Sequence, residues 1–181
     1  TQKEVAPKRA TPASWPQVAS ILHREGSGTP ALAILVAWLA CARMADVLRL
    51  RATDVVCEPT FLRVTFRECK TRNTYTVSTA LPPSPYKENL QELLDKTPLG
   101  ARLLDTHSTA ISATLKREHQ SLTQHSLRRG SLQTLAAAKI PATTLLQFSG
   151  HKSIASLLIY LDDGARAPDN QDRGEQAKIL I

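Results

Sequence analysis

Paired cysteines are missing from this chain of 181 residues. Its three cysteines, Cys41, Cys57 and Cys69, are odd in number and widely spaced, and none forms a CxxC pair. That pattern disfavours a disulfide framework and a zinc site. A reducing intracellular compartment fits it best. Long hydrophobic runs are missing too. The longest, Ala31 to Ala42, falls short of the roughly 20 residues that a membrane span needs. It reads instead as a buried helix. The chain shows no signal-peptide pattern, no internal repeat and no P-loop. It has no carboxylate cluster suited to two metal ions, which counts against a metal nuclease. Neither a metal, a cofactor nor a membrane is expected as a partner.

What the chain does have is apolar content and positive charge. At 42% hydrophobic it can bury a core, and its length suits one domain with tails. The formal net charge is +7 and the pI is about 9.6. A basic excess favours an anionic partner, nucleic acid first and an acidic membrane second.

Residues 1–13 are polar, basic and proline-containing, and read as a linker or arm. Ser14 can cap a helix over Trp15 to Arg24. A long apolar helix follows from Pro30, with Leu32, Leu35, Val36 and Leu39 at helical spacing. It ends or bends at Cys41-Ala42-Arg43, and a short helix follows over Ala45 to Leu50. The period then changes from 3.6 to 2. Strands are expected over Thr53 to Glu58, over Phe61 to Glu68, and around Tyr75, Val77 and Thr79, with a turn at Cys69 to Asn73. The prolines of 82–85 make a loop. Helices are expected over Tyr86 to Asp95, Ser108 to His119, His125 to Lys139, Pro141 to Phe148 and Ser153 to Leu161. The fold class is therefore α+β, mainly helical, with a small three-stranded antiparallel sheet. The domain spans 14–162, and 163–181 is a polar tail with an apolar end, Lys178 to Ile181.

Each chemically interesting residue has two readings when taken alone. Arg43 can be a helix-end arginine pairing with Asp46 three residues on. His125 and Arg128, three apart, share one helix face. With Thr123 as a cap they would lie near a helix N-terminus, where backbone N–H groups favour an anion, or on an ordinary solvated face. Tyr160 follows His151 by nine residues and ends an apolar stretch, so it can be a nucleophile or a core tyrosine with its hydroxyl at the rim. Lys70 lies in the turn, where exposed lysines are common.

Taken as an ordered set, these residues resemble the tyrosine recombinases, the phage integrase family. The segment Ala42-Arg43-Met44-Ala45-Asp46-Val47-Leu48 looks like the one that holds the family's first catalytic arginine. Lys70 matches the lysine of the β2–β3 turn. His125-Ser126-Leu127-Arg128 resembles the H-x-L-R box, Gly150-His151 the Gly-His segment, and Tyr160 falls where the nucleophile belongs. There are departures. Cys41-Ala42 replaces Gly-Leu, Arg129-Gly130 follows the box where His-Thr is common, and Ser149 stands where Leu is usual. None removes a catalytic group.

The resemblance implies a site-specific recombinase or integrase with catalytic residues Arg43, Lys70, His125, Arg128, His151 and Tyr160. Arg43 and Arg128 would hold the scissile phosphate and His151 would donate to it. His125 would act as base or orienting group, and Lys70 would protonate the leaving 5′ oxygen, with Arg67 and Arg72 near enough to compete. Arg43, Lys70, Arg72, Arg128 and His151 would contact DNA. Backbone contacts could extend to Arg63, Arg67, Arg72, Lys116, Arg117, Arg129 and Lys152. The expected partners are double-stranded DNA and further copies of the chain, as a tetramer on DNA with the tail 163–181 passed to a neighbour. The wording His-Ser-Leu-Arg-Arg-Gly resembles DIRS-like and crypton recombinases of eukaryotic mobile elements, which implies a nuclear location. Alternatives are a recombinase-derived DNA-binding module without activity, a type IB topoisomerase-like enzyme, and a basic protein-interaction domain.

Overall fold

One helix organises the molecule. The computed structural model describes residues 9–69, 72–151, 153–161 and 177–181. Helix α2 (Thr29–Ala40) starts with a proline in its first turn and is apolar on every side, so all ten residues from Ala31 to Ala40 are buried. A helix apolar all round must be covered all round. It is packed by α1 (Trp15–Glu25), by α5 (Ser108–Glu118), by α6 (Gln124–Ala137) and by the sheet. Each buried Leu or Ile on it is worth about 1.5–3 kcal/mol of transfer free energy. Ser14 caps α1 as the sequence implies, accepting from the Gln17 N–H at 3.4 Å.

The sheet is antiparallel with order β1-β2-β3: β1 (Val55–Cys57), β2 (Leu62–Cys69) and β3 (Arg72–Thr79). Val64 pairs with Val77 and Phe66 with Tyr75, which puts the alternating apolar residues on the face toward α2. Thr79, on that same face, satisfies its hydroxyl on the Leu39 carbonyl at 2.6 Å.

Three expectations shift. The short helix is α3 (Met44–Val47), shorter than Ala45 to Leu50 suggested. The first strand loses its start because Asp54 caps a tight turn instead. Its Oδ2 accepts from the Arg51 N–H at 2.9 Å and its Oδ1 from Arg67 Nε at 2.7 Å. The β2–β3 turn is tighter than Cys69 to Asn73, since Cys69 pairs with Arg72. Residues 70 and 71, and so Lys70, lie outside the described residues.

The remaining helices are α4 (Tyr86–Lys96), α7 (Ala142–Ser149) and α8 (Ile154–Leu161), where sequence periodicity put them. Helix α8 packs on α6 and α7. The last five residues return to α2 and α6 of their own chain. Leu180 is buried there, and its carbonyl accepts from Trp38 Nε1–H at 2.9 Å. Most of the tail expected over 163–181, residues 163–176, lies outside the described residues.

Candidate active site

Three helix ends converge on Arg128. The first is the C-terminus of α2. Cys41 closes it with φ +51, a left-handed conformation, and for a residue with a Cβ this costs about 1–2 kcal/mol. The reversal turns the Cys41 carbonyl toward Arg128 Nη1, which donates to it at 3.0 Å. It also places Arg43 at the N-cap of α3. The second end is the start of α6. Thr123 occupies the N-cap as expected, and its N–H donates to Ser126 Oγ at 2.9 Å. This puts exposed His125 in the first turn and Arg128 one turn further in. The third end is that of α7, closed by Gly150 at φ +67 with its N–H on the Leu146 carbonyl at 3.1 Å. There Arg128 Nη2 donates to the Ser149 carbonyl and lies 3.4 Å from His151 Nδ1.

Arg128 is only 2% exposed. A buried guanidinium is tolerable only when its donors are used, and two backbone carbonyls from different helices use them. Their grip fixes the plane of the group. Sequence reading found Arg128 but missed these holders, because they are carbonyls and carry no residue signature. The one available signal was Cys41 standing where the resembling family has glycine.

His151 is half-buried. Burial, and then the positive charges of Arg128 and Arg43, push its pKa down from 6.5 to about 4. It is therefore neutral at pH 7. Arginine can only donate, so Nδ1 is the acceptor facing Arg128 and the ring proton sits on Nε2. The result is a neutral imidazole presenting an N–H beside two guanidinium groups. Arg43 and Arg128 thus both act on His151, although the three are far apart in sequence. The Cys41 thiol, fully buried, is pushed up to about 12 and is not a nucleophile.

Asp46 behaves differently from a simple partner of Arg43. Its N–H donates to the Arg43 carbonyl at 3.0 Å, while its buried Oδ2 accepts no hydrogen bond from any described residue. Arg67, near the turn end of the β2–β3 hairpin, is held by buried Asp54. Among the other basic candidates, Arg63 pairs with Glu58 at 3.0 Å and Arg117 with Glu25 at 2.8 Å. Arg129, like Arg128 beside it, is buried. Tyr160 lies on α8, which packs on the helix that carries Arg128, and its side chain is outside what is described. Lys70 and Lys152 are outside the described residues, and Arg72 is described only as part of β3.

Gly130 explains another departure from the family wording. The chain entering α1 crosses α6 there, with the Ala13 N–H on the Ser126 carbonyl at 2.9 Å. A Cβ on Gly130 would lie 2.0 Å from the Ala13 carbonyl oxygen. Only glycine lets the two backbones pass.

No protein-family model and no curated protein matches the sequence. Solved structures do match. The catalytic domain of bacteriophage HP1 integrase superposes with a TM-score of 0.66 at 17% identity, over 86% of this chain and 89% of that one. XerA recombinase gives 0.68 at 17% identity, over 89% and 62%. The Tn1549 transposon integrase in complex with transposon right end DNA gives 0.60 at 14%, over 87% and 63%. This chain therefore spans nearly all of the HP1 catalytic domain and under two thirds of the two longer proteins. At these identities the likeness establishes the fold, which is that of an integrase catalytic domain.

Proposed function

We propose that this integrase-type fold is the catalytic domain of a tyrosine recombinase, which cuts and rejoins DNA through a covalent 3′-phosphotyrosine on Tyr160. The observation that carries the reading is the Arg128 cradle, with Arg43 and neutral His151 close enough to act on each other. Cleaving a phosphodiester puts extra negative charge on the non-bridging oxygens. Two guanidinium groups and an imidazole N–H answer that charge, and donors fixed in advance need no reorganisation during reaction. Losing one such donor costs about 10²–10³ in rate in comparable sites.

The step is a displacement at phosphorus. The Tyr160 oxygen forms the new P–O bond and the bond to the 5′ oxygen breaks. The phenol has a reference pKa of about 10, so its proton must be taken up, and His125 in the first turn of α6 is the acceptor. Lys70 protonates the leaving 5′ oxygen. Arg67 is the weaker candidate for that role, because Asp54 holds its guanidinium. The phosphotyrosine retains the energy of the broken bond, so reversal rejoins the strand without ATP.

The partners follow from the same reading: double-stranded DNA contacted by Arg43, Lys70, Arg72, Arg128 and His151, and further copies of the chain as a tetramer. The surface of α2 and α6 that receives Ala177–Ile181 would then be the seat for a neighbour's C-terminal segment. The box His125 to Gly130 supports an origin in a eukaryotic mobile element and a nuclear location. The test is a nicked DNA substrate carrying the element's end sequence, mixed with the wild type and with Tyr160→Phe. A protein–DNA adduct on a denaturing gel is expected from the wild type only, with equal DNA binding by both. Binding without any adduct would favour a DNA-binding module, and relaxation of supercoils by the monomer a topoisomerase.

A further inference from the structure

We propose that Tyr75 is a positioning residue for His151: its ring is the floor on which the Gly150-His151 turn rests. This rests on the reading of His151 as a donor to the scissile phosphate, and it adds a residue that the ordered catalytic set does not contain. Tyr75 lies on β3, directly opposite Phe66 on β2. The two rings pack with centroids 5.2 Å apart at 32°, so Tyr75 is braced from below by the core of the sheet. Only 5% of it is exposed. Its far end faces Gly150. A Cβ placed on Gly150 would stand 3.3 Å from Tyr75 Cζ and 3.4 Å from its hydroxyl oxygen. The backbone of the turn therefore sits directly on the phenol end of the ring.

Gly150 thus answers two demands. The left-handed φ of +67 closes α7, and the missing side chain lets Tyr75 approach. His151 is the next residue, and its Nδ1 must stay within reach of Arg128 Nη2. Without the ring, the turn would rest on a void lined by Phe66, and the imidazole would move relative to Arg128 or admit water.

The test is made on the DNA-free protein, so it answers whether or not the chain cleaves DNA. The imidazole carbon resonances of all five histidines are followed by NMR against pH in the wild type, Tyr75→Phe and Tyr75→Ala. Among the described residues, the cations facing His151 are Arg128 from α6 and Arg43 from the α2–α3 junction, and both remain in every variant. The wild-type His151 should titrate at about 4. In Tyr75→Ala, hydration and distance from Arg128 both act upward, so its midpoint should rise by about one pH unit or more. The other four histidines should not move. Tyr75→Phe keeps the ring and should restore the wild-type curve. If Tyr75→Ala fails to fold, Tyr75→Leu fills the core without reaching Gly150 and should show the same rise. An unmoved His151 curve in a folded Ala or Leu variant would make Tyr75 an ordinary core residue and overturn the proposal. Failure of DNA cleavage with the expected titration would overturn the recombinase reading alone.

Discussion

Replacing Gly130 with alanine should destabilise this protein, although the same change in most helix interiors stabilises. In mid-helix, Gly→Ala ordinarily gains about 0.5–1 kcal/mol. At Gly130 the new methyl meets three backbone atoms of one residue: the Ala13 oxygen at 2.0 Å, nitrogen at 2.7 Å and carbonyl carbon at 2.8 Å. No rotamer change relieves a backbone clash, so the entering segment or α6 must shift. The shift breaks the Ala13 N–H···O Ser126 bond and uncovers Ala13, which is buried. A lost hydrogen bond costs about 0.5–1.5 kcal/mol and overpacking typically about 1–3. Against the propensity gain, the net is a loss of about 0.5–4 kcal/mol. Urea unfolding measures it, and amide exchange at Ala13 shows whether the strap has come loose. Gly100→Ala is the control, since a Cβ there meets nothing within 4 Å. It should fall within about 0.5 kcal/mol of wild type. Stabilisation of Gly130→Ala by a full propensity increment would refute the reasoning.

Other outcomes follow from the same geometry. At Cys41, glycine should be at least as stable as alanine, because both lose the thiol and only alanine keeps the left-handed penalty of about 1 kcal/mol; unfolding curves with alanine clearly ahead would contradict this. His151 binds its proton more weakly in the fold than out of it, so the unfolded chain holds more protons between the two pKa values. Stability should therefore fall as pH drops from about 6.5 to about 4, by roughly 1–2 kcal/mol after discounting for partial exposure, and His151→Gln should flatten that part of the curve. Lys70→Ala should recover cleavage on DNA with a bridging 5′ sulfur, which leaves without a general acid; no recovery would direct attention to Arg72. Arg67→Ala should instead lower stability by about 1–3 kcal/mol, because buried Asp54 Oδ1 loses the Arg67 guanidinium and keeps only the Arg51 N–H on Oδ2, and equal stability would show that the Arg67–Asp54 pair does not hold this end of the hairpin.

The elements were legible in the sequence wherever one face or all faces are buried. Apolar content on every side marks α2, and the period-2 pattern marks β2 and β3. Their ends were less legible, because caps decide them. Asp54 reads as a strand residue, yet it closes a turn with Arg51 and Arg67. The candidate site was read as an ordered set, and of its members the structure brings Arg43 and Arg128 to His151. What holds them was hidden. Carbonyls of Cys41 and Ser149 do not depend on side-chain identity. Tyr75 looked like any inward-facing strand residue, and the need for Gly130 arises from a segment over a hundred residues earlier in the chain.

The measurement that bears most directly on the central claim is peptide mapping of the trapped adduct. Wild-type protein captured on nicked DNA is digested with protease and nuclease, and the nucleotide-bearing peptide is sequenced by mass spectrometry. A phosphotyrosine is expected at Tyr160, in the peptide ending α8, with Tyr75 and Tyr86 unmodified. A nucleotide on Tyr75, Tyr86, a serine or a cysteine would contradict it.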